Sequence, residues 1–398
     1  MSVVHLAIPL VLGLVLLELA WGAVRRRTVY RFADSLSDFG CAAMSQVVGL
    51  GVTAMTVAGY AVAAAALLPL RGEVRVTPGA WVAVFLAVDL GQYLVHRMSH
   101  RVNVLWACHA VHHSSEEFNY AVGLRNSSFH GLLIWVFFLP LAVVGIPWRV
   151  VAVCYGINVL YQFWLHTRLI GRLGPLEAFL NTPSHHRVHH GTDSVYLDRN
   201  FAGVLIVWDR LFGTFREEGT EPRYGTTIPL SSWNPVWANF QGFAMIRDAW
   251  RRAPDGRARL RVLFGPPESL GVIPAASPPP RPSRDVTFYA AGHLALAAAA
   301  TLGIVLPGGL PWIVRLGVAG LVLVTLGVLG GLLDGRTWAR YWEGGRLAML
   351  LLAGGGLRSA PAAGLGLVLV AMTSVVWLVS QRERPVARGS SSSATRPA

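Results

Sequence analysis

The sequence predicts an all-α polytopic membrane protein, a helical transmembrane bundle with histidines gathered at one face. Three observations carry that expectation. The chain of 398 residues is 53% hydrophobic and only 14% charged, where a soluble domain carries about a quarter charged residues. Apolar runs long enough to cross a bilayer recur along it. Eleven of the thirteen histidines fall between His96 and His190, at and between the ends of those runs.

Composition also excludes some classes. The net charge of +13 comes from 34 basic residues that are all arginine. They sit in loops between apolar spans, where membrane topology accounts for them, so no nucleic-acid partner is expected. Cys41, Cys108 and Cys154 lie in or beside apolar segments without paired spacing, as core hydrophobes do, and not as disulfides or thiolate ligands. Arginine in place of lysine, with abundant Ala and Gly, suggests a GC-rich bacterial genome.

Residues 3–24 form the first span, closing at Trp21 and Arg25, Arg26 and Arg27. It is too long for the apolar core of a signal peptide, and no small-residue cleavage site follows the arginines, so it reads as a retained helix. A second span covers about 39–69. A third runs from Pro78 to about Val95 and delivers the chain to His96. Residues 96–128 are polar. Two apolar runs, about 129–146 and 150–166, follow and are joined by the turn Gly145-Ile146-Pro147-Trp148. So short a joint predicts an antiparallel helical hairpin that returns to the side it left. The histidines before and after it then share a face. Residues 168–285 hold no span and end in PPPRPSR, a linker composition. Four more runs lie near 286–306, 310–333, 346–357 and 361–380. The Arg-, Ser- and Pro-rich end is expected to be disordered. The domain organisation follows: 1–77 N-terminal helices, 78–250 catalytic domain, 251–285 Pro/Arg-rich linker, 286–380 C-terminal helices, 381–398 tail.

With the N-terminus outside, the loops assigned to the cytoplasm hold 29 of the 34 arginines. The inverted topology would put that excess outside, against the positive-inside rule. The chain is therefore expected in a bacterial inner membrane, with the histidine face and the C-terminus cytoplasmic.

His96 and His100 are one helical turn apart and share a face. His109, His112 and His113 combine i,i+3 and i,i+4 spacings, and His186, His189 and His190 repeat that HxxHH pattern. Imidazole suits iron, zinc, copper and nickel. Eight imidazoles are too many for one ion in four- or six-fold coordination, so the count predicts a cytoplasmic histidine-rich di-metal site. Burying that many imidazoles without a metal or hydrogen-bond partners would be costly. His166 ends the returning arm of the hairpin and is a ninth candidate. His130 begins the hairpin and is a weaker one. His185 is expected to be exposed, and His5 and His293 to be interfacial. Partners that hold imidazoles in one tautomer are sought among Asp89, Glu116, Glu117, Asn119, Asp193 and Asp209. Asp89 leads them, because a carboxylate inside an apolar span needs a partner and it lies on the His96 face.

These residues resemble the fatty acid hydroxylase/sterol desaturase superfamily of membrane di-iron enzymes. The likeness runs over DLGQYLVHRMSHRVNVLWACHAVHHSSEEFNYAVGLRNS (89–127), YQFWLHTRLIGRLGPLEAFLNTPSHHRVHHG (161–191) and NFAGVLIVWDRLFGTF (200–215). HHSSEEFN, LYQFWLHT, LGPLE and NTPSHHRVHHG resemble its alkylglycerol monooxygenase branch in particular. The resemblance implies that His96, His100, His109, His112, His113, His186, His189 and His190 bind two irons per chain, with His166 close by. It implies an O2-dependent attack on an unactivated lipid C–H bond, giving hydroxylation or desaturation, with two electrons from outside. In the ether-lipid branch, hydroxylation beside the ether oxygen cleaves the lipid and a tetrahydropterin is the reductant. Three positions depart from that branch: Arg101 stands where a glutamate is usual, Asn126 gives LRNS for LRQS, and YGTTIP (224–229) lacks a histidine. None is a proposed ligand; they bear on substrate and on pterin use. No flavin, haem or nucleotide motif is present, so the reductant is an electron-donor protein or a diffusible pterin, and the lipid enters from the bilayer.

Two rival classes read less well. A metal transporter would place its imidazoles within the spans near the midplane, whereas these cluster at span ends. A membrane zinc hydrolase would need HExxH, which is absent, and far fewer imidazoles. Within the superfamily, a sterol-like or carotenoid desaturase or hydroxylase is the alternative substrate reading. Oligomeric state and the role of the C-terminal helices are not encoded in any of these motifs.

Overall fold

The computed structural model describes residues 8–71, 76–270, 279, 281–306, 310–356 and 361–380. His5, Arg75 and the tail 381–398, with their expected roles, lie outside the described residues. Among the described residues, five helices are long and apolar enough to cross a membrane, and the chain is a multi-pass membrane protein. Among the described residues there is no strand, only one isolated antiparallel bridge between Leu180 and Leu205.

Two compact units divide at Gly335. In the first, α1 (Ile8–Val24), α2 (Phe32–Arg71) and α3 (Pro78–Ser99) are followed by the short α4 (Asn103–His113). The hairpin comes next: α5 (His130–Ile134), a 3-10 turn (Trp135–Phe138) and α6 (Leu139–Val143) descend, and α7 (Trp148–Phe163) returns. The returning segment leads to α8 (Pro183–His189), α9 (Val207–Leu211), α10 (Pro235–Arg252), α11 (Gly256–Phe264), α12 (Arg284–Val305) and α13 (Trp312–Leu333). The second unit is a helical pair, α14 (Thr337–Gly356) packed on α15 (Pro361–Ser380).

Several expectations change here. The descending arm is not one helix, because Pro140 has no N–H to donate to the carbonyl four residues before it. Its apolar side chains still pack: Phe138, Ala142 and Ile146 join Tyr60, Val84, Val88, Val150, Val151 and Cys154 in one core. The Tyr60 hydroxyl donates to the Ile146 carbonyl (3.0 Å), fixing the hairpin turn against α2. The second span begins at Phe32, seven residues early, because Asp34 and Asp38 find partners inside the protein. Residues 251–270 are not a linker. Asp255 caps α11 by accepting from the Ala258 N–H (2.7 Å), and Val262 and Leu270 bury against Ala107, Ile246 and Ala249. Arginines at 257, 259 and 261 hide that apolar stripe from a composition scan. The C-terminal runs do not form one domain either: α12 and α13 pack on α2 and belong to the first unit. The described part of the run at 346–357 lies inside α14, which starts earlier because Arg346 and Glu343 pair on it (2.5 Å).

Candidate metal centre

Three segments meet to form the centre. His96 lies in the last turn of α3 and His100 caps it. His109, His112 and His113 occupy the second half of α4, and α8 carries His186 and His189 with His190 as its cap. Thr182 and Pro183 start α8, with the proline at the first helical position, where its missing N–H costs nothing.

Nine imidazoles converge in two groups, within each of which the candidate ligand atoms lie within 4.8 Å of one another. The first holds His96, His100, His109, His113 and His189; the second holds His112, His166, His186 and His190. Helix geometry makes the division. Consecutive residues point about 100° apart on a helix, so each HH pair is split: His112 from His113, and His190 from His189. Residues four apart stay together, His109 with His113 and His186 with His190. The repeated HxxHH pattern thus supplies two imidazoles to one group and one to the other, in opposite senses. His166 joins the second group, its Nε2 lying 3.2 Å from His112 Nε2 and 3.0 Å from His186 Nε2.

Backbone carbonyls orient these rings. His96 Nδ1 lies 2.8 Å from the Phe201 carbonyl, His112 Nδ1 3.1 Å from that of Arg125, His166 Nδ1 3.0 Å from that of Gln162 and His189 Nδ1 2.9 Å from that of Arg199. A carbonyl can only accept, so each of these Nδ1 atoms carries the proton and each Nε2 carries the lone pair. His112 and His166 therefore face each other with two acceptor nitrogens, a repulsive contact that a cation between them would reverse. His100 Nε2 and His190 Nε2 are buried without a hydrogen-bond partner among the described residues. The donor set fits a pair of imidazole-loving transition metals, one per group.

Burial is the first cause that holds these rings neutral. It pushes His109, His112, His113, His186, His189 and His190 well below the ordinary 6.5, with neighbouring imidazoles adding to the effect. His166 is pushed down to about 4, against the lift of its carbonyl partners. The metal-free protein should therefore be acid-labile. A group whose folded value is depressed contributes stability above its unfolded value and loses it as pH falls below. Each imidazole would cost roughly 1.4 kcal/mol at pH 5.5, one unit under its unfolded value. Melting of chelated protein should drop by more than about 10 °C between pH 8 and pH 5.5. Equal melting temperatures would mean that the rings are charged or solvated in the folded state.

Of the carboxylates expected to hold the rings, Asp89 and Asp209 do so at one remove. Among the described residues, none of Asp89, Glu116, Glu117, Asn119, Asp193 and Asp209 hydrogen-bonds to an imidazole. Asp89 instead accepts from Asn158 Nδ2 (2.6 Å), the Val204 and Leu205 N–H groups and Trp208 Nε1. Asp209 accepts from the N–H groups of Phe201 and Ala202 (2.9 and 2.8 Å). Together they clamp the segment whose Phe201 carbonyl orients His96. Gly203 permits that clamp, since a Cβ there would sit 2.6 Å from Asn158 Oδ1. Asn119 holds the Val29 carbonyl (2.7 Å), Glu116 pairs with Arg31 (2.8 Å) and Asp193 with Arg223 (2.9 Å). His185 is buried rather than exposed: its ring meets Phe215 edge-on and its Nε2 lies 3.9 Å from Glu177. His130 stands 5.7 Å from His109, ring to ring, outside both groups. His293 lies in α12, buried beside Tyr289.

Three residues escaped the sequence reading. Asp198, at φ 57° in the left-handed region that Asp tolerates, lies 3.6 Å from His100 Nδ1 and accepts from Arg101 (2.8 Å). Glu18, buried on α1, accepts from the Tyr120 N–H (2.8 Å) and from Thr167, the neighbour of His166. Arg125 is buried between α2 and the last turn of α4. A carboxylate in an apolar run was the available signal for Glu18; Asp198 and Arg125 look like ordinary loop charges.

Residues 81–214, which carry all nine of the gathered histidines, match the model of the fatty acid hydroxylase family. That segment is similar to the fatty acid hydroxylase domain. Its similarity extends past that domain: the chain is 38% identical to alkylglycerol monooxygenase of Homo sapiens over 66% of its own length. It is 41% identical to the Danio rerio protein of that name over 59% of its length, and 29% identical to ornithine lipid hydroxylase OlsE of Rhizobium tropici over 35%. It spans 58% of the human relative and 52% of the fish one. No solved structure matches the chain.

Proposed function

We propose that the protein is a membrane monooxygenase that uses O2 and two external electrons to hydroxylate a lipid C–H bond. The observation that supports this most is the pair of imidazole groups, five and four, within a hydroxylase domain similar to lipid-oxidising relatives. The nine histidines would hold two irons, which supply the reduction of O2 and the oxidation of the substrate carbon. The chain's own part is to fix four of the rings through carbonyls and keep the nitrogens dry. Trp106 and Phe201 flank the first group and Phe118 the second, with ring centroids 5.1 Å from His100 to Trp106 and 5.1 Å from His190 to Phe118. The likeness to alkylglycerol monooxygenases favours an ether lipid as substrate and a tetrahydropterin as reductant. The arginine distribution favours a bacterial inner membrane, with the centre and the C-terminus on the cytoplasmic side, where the reductant is.

Two measurements test this. Protein purified without oxygen should hold about two irons per chain, the number that the two groups provide for; a single tightly held zinc without iron would overturn the reading. Lipid profiles of aerobic cells with and without the protein should differ in a hydroxylated lipid or in the aldehyde of a cleaved ether. Identical profiles in cells that carry the loaded protein would remove the lipid assignment.

A further inference from the structure

Residues 168–270 hold no membrane-crossing helix among the described residues, yet five of their apolar side chains gather on one open surface. Leu176, Phe179, Val207, Leu211 and Phe212 are between 37% and 68% exposed. They come from two segments that the backbone ties together. Leu180 and Leu205 form the isolated bridge, the Ile206 N–H donates to the Phe179 carbonyl (3.0 Å), and Arg210 donates to the Glu177 carbonyl (3.1 Å). One patch results, built from the 3-10 turn Gly174–Ala178 with Phe179 and from α9 with Phe212. Apolar side chains scattered singly over a surface are ordinary, whereas a joined group marks a contact.

The helix beneath the patch identifies what covers it. Asp89 accepts from the Leu205 N–H (3.1 Å) and from Trp208 Nε1 (2.9 Å), and the Phe212 ring stacks on Tyr93 with centroids 5.3 Å apart and planes 16° from parallel. Both holding points lie on α3, which is long and apolar enough to cross the membrane. At about 1.5 Å per residue, Asp89 and Tyr93 lie roughly 15 and 9 Å inside the Ser99 end of α3. The hydrocarbon of one leaflet is about 15 Å deep. Leu86, Leu90 and Leu94 form the adjoining row of α3, each three residues before one of Asp89, Tyr93 and Arg97. Leu86 and Leu94 are exposed there and face the lipid. The patch thus continues a lipid-facing row, at a depth that a soluble partner could reach only by displacing lipid. Arg210, the exposed charge of α9, is turned aside, its guanidinium lying over the Phe215 ring at 3.8 Å, as an interfacial arginine snorkels.

We propose that residues 174–179 and 207–212 are a monotopic anchor inserted into the leaflet on the side of the metal centre, with lipid acyl chains as its occupant. Asp209 of this anchor holds the Phe201 and Ala202 N–H groups, and the Phe201 carbonyl orients His96. Leaflet and centre therefore share one stretch of chain. The anchor keeps the centre near headgroup depth, so a lipid need not leave its leaflet to reach it. The inference stands apart from the reaction assigned to the centre.

The test uses the full chain in nanodiscs of phosphatidylcholine and phosphatidylglycerol. Cys41, Cys108 and Cys154 are buried, so a nitroxide label reports an introduced cysteine. Labels on Phe179→Cys and Leu211→Cys should collide with O2, which concentrates among acyl chains, in preference to chromium oxalate, which stays in water. The ratio of the two collision rates should be at least tenfold that of a label on Arg223→Cys, whose native side chain is 80% exposed. Equal ratios at the three positions would place the patch in water and overturn the proposal. Shielding of 179 and 211 from both reagents would put protein there, a second copy or a partner, and overturn it as well. The unsubstituted chain gives an independent reading. Phosphatidylcholine with a diazirine at mid-chain should crosslink to peptides holding 174–179 and 207–212, and not to 220–226. Crosslinks confined to the membrane-crossing helices would refute the anchor whatever the labels show.

Discussion

His190→Ala should leave a protein that inserts normally, holds about one metal per chain and turns over at below about one hundredth of the wild-type rate. The expectation comes from the unequal division of the rings. The second group has four imidazoles, the first five. Removing His190 leaves three, one fewer than a closed four-coordinate site requires, and weakens the metal by far more than the 10–100-fold that loss of an outer partner typically costs. His113→Ala should also abolish turnover, because it lies within the same pair of groups, yet its group keeps four imidazoles and most of its metal. Metal analysis beside turnover thus distinguishes the groups. If both variants lost the same amount of metal, the five-and-four division would be wrong. If either kept near-wild-type turnover, its ring would not be a ligand.

Much of this was legible in the sequence because helix geometry is periodic. His96, His100, His109, His112, His113, His186, His189 and His190 stand out by spacing alone, and the short turn at Gly145 puts them on one side. What spacing could not show is which ring serves which metal, since that depends on how α4 and α8 face each other across the chain. His166 could be suspected only from its place at the end of the hairpin. The ring-holding partners were misread for a plainer reason. Carboxylates are visible in a sequence and carbonyls are not, so Asp89 and Asp209 were expected at the imidazoles themselves. They grip instead the peptide N–H groups of residues 201–205, and the carbonyl between them does the orienting. Likewise Asp34 and Asp38 looked like the end of a span, because their partners Ser115 and Arg125 lie some eighty residues away in the chain.

Arg125→Met should lower stability by about 3–5 kcal/mol, the typical cost of leaving one member of a buried ion pair alone. Arg125 is 1% exposed and Asp38 fully buried, 3.0 Å apart. The guanidinium also donates to Ser37 on α2 and, through Nε, to the Val111 carbonyl (2.8 Å) and Ser114 in the last turn of α4. Its five fixed donors span both helices, so Arg125→Lys should rescue little. The same residue's carbonyl orients His112, which couples this pair to the second imidazole group. Arg125→Met should therefore lose metal from that group as well as stability. A double-mutant cycle with Asp38→Leu separates the two effects. Deleting both charges should recover part of the stability, with a coupling of about 2–3 kcal/mol, while the metal loss should persist because α4 is still untethered. Wild-type melting and a full metal complement in Arg125→Met would show instead that packing alone holds the last turn of α4 in place.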